Sequence, residues 1–232
     1  MKNNFDYLNS NNFDYYLAGP KIGPYTKLEY SQHSEEVYHP NDFSPFTRTR
    51  RTLTIKNSIN RIDVPLDENY DCDIYIKNSR LFDLKGMPKV VYGSVTCSLA
   101  ELHSLEGAPK YVSGTFDASS NFLSSYVGAP KNCQTLDLSS NPKLTTLKDI
   151  GNYFTFLEFI HIPHTVQSNI LGLLRIQGLK SVATRFRPWE SVSVGLSEAM
   201  SIVNKYLKEP DKDILECQEE LIDAGLKQYA KL

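Results

Sequence analysis

Gly107-Ala108-Pro109-Lys110 leads into Val112-Ser113-Gly114-Thr115-Phe116-Asp117-Ala118-Ser119-Ser120-Asn121-Phe122-Leu123. The chain then begins again with Gly128-Ala129-Pro130-Lys131 and Cys133-Gln134-Thr135-Leu136-Asp137-Leu138-Ser139-Ser140-Asn141-Pro142-Lys143-Leu144. One unit earlier stands Gly86-Met87-Pro88-Lys89, so the three glycines are spaced by 21 residues twice in succession. Glycine tolerates positive φ and proline pre-sets a turn, so each phrase reads as a tight corner. Between corners come two apolar residues separated by one position, the minimal mark of a short strand with one buried face. Working outward, such pairs occur at Leu53/Ile55, Ile74/Ile76, Val95/Cys97, Phe116/Ala118, Leu136/Leu138 and Ile160/Ile162, with a weaker seventh at Val182/Thr184. Their first members lie 21, 21, 21, 20, 24 and 22 residues apart. A further apolar residue recurs about five positions later, at Leu81, Leu102, Leu123 and Leu144.

A coil of this size cannot bury its own apolar face, but stacked coils share one continuous core. The period therefore predicts a β-rich repeat solenoid: a parallel strand ladder with rungs about 4.8 Å apart. The units around Phe116 and Leu136 resemble the leucine-rich repeat, LxxLxLxxNxL, each with one extra residue. Leu157 to Ile162 and Leu179 to Thr184 carry its front half; in earlier units Asn57 and Asn78 stand one place early and Ala100 replaces Asn. The Gly-Ala-Pro-Lys phrasing is similar to that of leucine-rich-repeat-like proteins of large tailed bacteriophages. That resemblance implies work in the cytoplasm of an infected host and names no activity.

The chain is expected to divide into a flexible Asn/aromatic tail at 1–19, an irregular N-terminal cap at 20–51, the solenoid at 52–185 and a helical C-terminal cap at 186–232. Asn3-Asn4-Phe5-Asp6-Tyr7 nearly repeats as Asn11-Asn12-Phe13-Asp14-Tyr15, and Pro20, Pro24, Pro40 and Pro45 punctuate the cap segment. At the other end Ser197 is read as an N-cap, with Met200, Val203, Tyr206 and Leu207 on one helical face. Pro210 ends this helix. Asp211 or Asp213 starts a second, with Ile214, Cys217, Leu221 and Ile222 inward and Gly225 breaking it.

Twenty-five Lys and Arg against 27 Asp and Glu leave a formal net charge of −2, so no global basic field draws nucleic acid. No apolar run reaches the roughly 18–20 residues of a membrane span. The four cysteines lack metal-ligand spacing and read as reduced thiols of a cytoplasmic protein.

Fragments that invite chemistry are incomplete. Tyr15-Tyr16-Leu17-Ala18-Gly19-Pro20 is similar to the first strand and turn of nucleoside deoxyribosyltransferases, but repeats follow in place of alternating strands and helices. His161 and His164 lack an evident third metal ligand. The stretch from Asp67 begins like a calcium loop, yet has Cys72 and Asn78 where Gly and Glu belong. No catalytic, cofactor or metal residues are nominated.

Binding is better supported. The residues beside each inward pair point out of the ladder, and the expected partner-binding set there is Tyr75, Asp117, Asp137, Phe159 and His161. Asp117 and Asp137 fall in adjacent coils, both toward solvent, where their repulsion would favour a basic partner residue. The leading expectation is a non-enzymatic scaffold that binds another protein, of host or phage, through its strand face. A structural or assembly component of a virion, and an enzyme or nucleotide-binding protein with its site outside the repeats, are the alternatives. The oligomeric state is left open.

Overall fold

The computed structural model describes residues 13–15, 26–39, 42–62, 66–185 and 192–232. The apolar pairs form one parallel ladder. Leu53 registers with Ile74, Ile74 with Val95, Val95 with Phe116, Phe116 with Leu136, Leu136 with Ile160 and Ile160 with Val182. The first five of these seven side chains have no exposed surface, and Ile160 and Val182 have 1% and 2%. The fold is thus a β-solenoid whose coils share one core, which also takes in Leu81, Leu102, Leu123 and Leu144 from the loops.

The corners need glycine for two reasons. Gly86, Gly107 and Gly128 have φ of +97°, +85° and +102°, where a Cβ is disfavoured. A Cβ at Gly107 would also stand 2.5 Å from the Lys85 Cα, and one at Gly128 2.6 Å from the Leu105 carbonyl carbon. Each corner therefore rests directly on the backbone of the preceding coil.

Where the chain leaves each strand, a second left-handed position recurs: Asn57, Asn78, Leu99, Ser120 and Ser140 have φ between 50° and 58°. The next residue of each coil is buried, and these are Ser58, Ser79, Ala100, Asn121 and Asn141. Asn57 and Asn78 are therefore not displaced copies of the repeat asparagine. They occupy the strained position, which Asn tolerates better than most residues. The buried Asn does the bonding. Asn121 Oδ1 accepts from the N–H of Ala100 and Leu102 in the preceding coil, and Nδ2 donates to the carbonyls of Cys97 and Ala118. Asn141 repeats this with Leu123, Ala118 and Leu138.

From Lys27 onward, the segment expected to be an irregular cap is a hairpin. Strand Lys27–His39 pairs antiparallel with Asp42–Lys56, and Thr52 to Lys56 of the latter form the first rung of the ladder. The β-branched Thr and Val along these strands favour pairing, and Pro45 registers with Tyr38 near the outer end, where a missing N–H is tolerated. Phe13–Tyr15 adds a third antiparallel strand, so that part of the expected tail is paired; the rest of 1–25 lies outside the described residues.

The C-terminal cap is helical. Helix α1 spans Val194–Leu207 and starts one turn before the expected Ser197: Ser193 is its N-cap, accepting from the Leu196 N–H. Burial of Leu196 and Ala199 outweighs the low helix propensity of Gly195. Helix α2 spans Ile214–Asp223 with Asp213 as N-cap, and Gly225 turns the chain at φ +78°. Cys217 and Leu221 face inward, but Ile222 is 40% exposed, because Leu226, Tyr229 and Ala230 fill the core beyond the turn. Helix α1 also closes the last strand. Asn204 accepts from the Val182 N–H at 2.9 Å and donates to the Val182 carbonyl at 2.8 Å, covering an edge that would otherwise pair with another chain. No helix among the described residues is long and apolar enough to cross a membrane.

Candidate functional site on the strand face

The residues beside the inward pairs line one face in two rows, as the period requires. One row runs Tyr75, Thr96, Asp117, Asp137, His161, and its neighbour holds Thr115, Thr135, Phe159 and Ser181. Short polar groups tie the rungs. Asp73 Oδ1 accepts the Ser94 N–H at 2.7 Å, and Ser94 Oγ accepts the Thr115 N–H at 3.1 Å. The calcium-like stretch ending at Asp73 thus contributes a rung tie.

Towards the C-terminal end the face sinks into an open depression of about 350 Å³, lined by Thr115, Asp117, Thr135, Asp137, Phe159, His161 and Arg185. Four of the five nominated residues meet here. Tyr75 stands two rungs from Asp117 on the same row, with the Lys77 ammonium 5.3 Å from its ring centre. Phe159 is the large apolar side chain of the depression, 37% exposed.

Asp137 departs from expectation. It is only 3% exposed, because its neighbours fold over it. Its Oδ1 accepts from the Ser139 N–H at 2.9 Å and the Ser139 hydroxyl at 2.5 Å. Its Oδ2 lies 3.2 Å from His161 Nδ1 and 3.3 Å from Arg185 Nη1. Burial alone would raise the Asp137 carboxyl, but hydrogen bonds from His161 and Ser139 outweigh it and hold the group below the usual carboxylate range. A carboxylate only accepts, so it fixes the imidazole proton on Nδ1 and leaves Nε2 as the other ring position of His161. The repulsion expected between Asp117 and Asp137, which are register partners, is therefore offset within the chain. Asp117 is half-exposed; its Oδ1 accepts the Ser119 N–H at 2.9 Å. No protein-family model, curated protein or solved structure matches this chain.

Arg185 was missed because the sequence places it at the margin of the last, weakest repeat. Only the register of three rungs brings it over Asp137, 48 residues away. A second feature lies outside the nominated set. Phe82, His103 and Phe122 form an exposed stack on the edge where the chain leaves the strands, with ring centres 5.3 Å apart at both steps and Lys143 5.9 Å beyond. The 21-residue interval between Phe82 and His103 was its signal. Lys131, which follows the Pro130 corner, donates to the Tyr153 carbonyl at 2.9 Å and sits 3.4 Å from that ring centre. Lys110 remains an exposed corner residue.

The described cysteines are unpaired; burial raises Cys72 to about 11 and Cys133 and Cys217 to about 12, which keeps these thiols protonated and unreactive. Among the described residues, no group of three or more His, Cys, Asp or Glu side chains is placed to hold a metal ion.

Proposed function

We propose that this protein is a non-enzymatic interaction scaffold that binds another protein through the strand face of its solenoid, at the depression around Phe159. The observation that carries this reading is the convergence there of an exposed aromatic ring with charged groups on a rigid ladder. A preformed, partly apolar concavity with a few fixed polar groups is what binding-energy hot spots need, since little ordering entropy is lost on association. In the bacteriophage reading suggested by the corner phrasing, the partner is a host protein met in the cytoplasm.

The test is a comparative pulldown with full-length protein from its native or infected cells. Phe159→Ala and Asp117→Lys should each lose the same stoichiometric partner, while Lys110→Glu retains it. Retention by both face variants, or loss only on deleting residues 1–19, would contradict the reading. Recovery of nothing but further copies of this chain or virion proteins would favour an assembly role instead.

A further inference from the structure

Of the two carboxylates in the depression, Asp137 has both oxygens engaged by Ser139, His161 and Arg185. Asp117 is half-exposed, accepts its own Ser119 N–H with Oδ1 and lines the concavity between the rungs of Thr96 and Asp137. Counting Asp117 and Asp137 against Arg185, with the His161 imidazole neutral, the lining carries one uncompensated negative charge beside Thr115, Thr135 and Phe159. That floor is half-buried, so the charge is less screened than one on an open surface. Arg185 reaches Asp137 from two rungs away, so the concavity already accommodates a guanidinium lying along the ladder.

Resting on the binding role proposed above, we propose that the depression recognises a basic side chain of the partner protein, with its guanidinium or ammonium group on Asp117 and its alkyl stem over the Thr115–Thr135 rungs toward Phe159. Charge complementarity selects this occupant. An acidic side chain meets an unneutralised carboxylate, and an apolar one desolvates Asp117 with only the Ser119 N–H to compensate. Arginine is favoured over lysine, because a planar fork can bond the carboxylate oxygen and a threonine hydroxyl together. The bond to Asp137 Oδ2 holds Arg185 to one side of the floor.

The test is a chemical-shift titration of the labelled full chain with N-acetyl-arginine methylamide, its uncharged citrulline counterpart and calcium chloride. The arginine compound should shift the amides of Asp117, Thr135 and Phe159 in a saturable way, at least about tenfold more tightly than citrulline, and less so as salt rises. Asp117→Asn should abolish the difference between the two compounds, whereas Asp117→Glu should retain it and shows that the face is still folded. Equal binding of citrulline, an unchanged preference in Asp117→Asn, saturation by calcium at the same amides, or no shifts at all would overturn the inference. If the pulldown partner still maps to Phe159 in any of those cases, the binding reading stands and only the basic specificity falls.

Discussion

The coils of Asn121 and Asn141 and the coils of Ser58 and Ser79 trace one backbone path but satisfy it differently. In the former pair, an amide side chain bonds N–H groups and carbonyls of its own and the preceding coil. In the latter, Ser79 Oγ accepts the Ser58 N–H and donates to the Lys77 carbonyl, which is as far as a hydroxyl can reach. The strand face also changes along its length: near the start Asp73 and Tyr75 stand singly among Thr52, Thr54, Ser94 and Thr96, whereas Asp117, Asp137, Phe159, His161 and Arg185 gather at the depression. Side-chain cross-linking between coils is therefore densest just behind the candidate site, where a rigid face reduces the cost of binding.

The largest effect expected is on the core that both regions share. Phe116→Ala should lower unfolding free energy by roughly 3–5 kcal/mol in a denaturant titration, while Asp117→Ala, its sequence neighbour on the face, should change it by less than about 0.5 kcal/mol. Comparable losses would mean that the two faces of the rung are interchanged. Next comes the contrast itself. Asn121→Ala leaves buried N–H and C=O groups unpaired in two coils and should cost about 2–4 kcal/mol, against about 1 kcal/mol for Ser79→Ala. Equal costs would erase the difference between the regions.

Asp137→Asn should cost about 1–3 kcal/mol at neutral pH, through weakened bonds to His161 and Arg185. Because the folded carboxyl titrates below its unfolded value of about 4, its contribution is present above that pH and is lost as pH falls through the lowered folded value. The gap between wild type and variant should therefore close in acid, and a gap that persists there would show that the charge is not what Asp137 contributes. The smallest effect sharpens the picture of the coil exits. Leu99 holds φ 57° with 68% of its surface exposed, so Leu99→Asn should raise stability by up to about 1 kcal/mol, measured as an increase in Tm.

The sequence was legible where one interaction repeats at a fixed interval. The inward pairs from Leu53 to Val182 and the corners at Gly86, Gly107 and Gly128 recur because stacking demands the same shape each time. Gly93 and Gly114 carried the same interval unnoticed. A Cβ on the first would stand 2.3 Å from the Cys72 carbonyl oxygen, and on the second 2.6 Å from Ser94 Oγ. Features that depended on contacts across coils were hidden. The burial of Asp137 follows from His161 and Arg185, one and two rungs away, and alternation along its own strand marked it as outward. The hairpin from Lys27 was obscured by prolines in its sequence, and the start of α1 by Gly195, where burial of Leu196 and Ala199 overrode local propensity.

The face claim is tested most directly by placing a photo-crosslinking benzoylphenylalanine at position 159 in one full-length variant and at position 110 in another, then irradiating each in the protein's native cells. Residue 159 should yield one dominant covalent adduct with a second protein that is absent at residue 110, and Asp117→Lys should abolish it. Adducts at residue 110 alone, or adducts at residue 159 that Asp117→Lys leaves unchanged, would contradict binding through this depression.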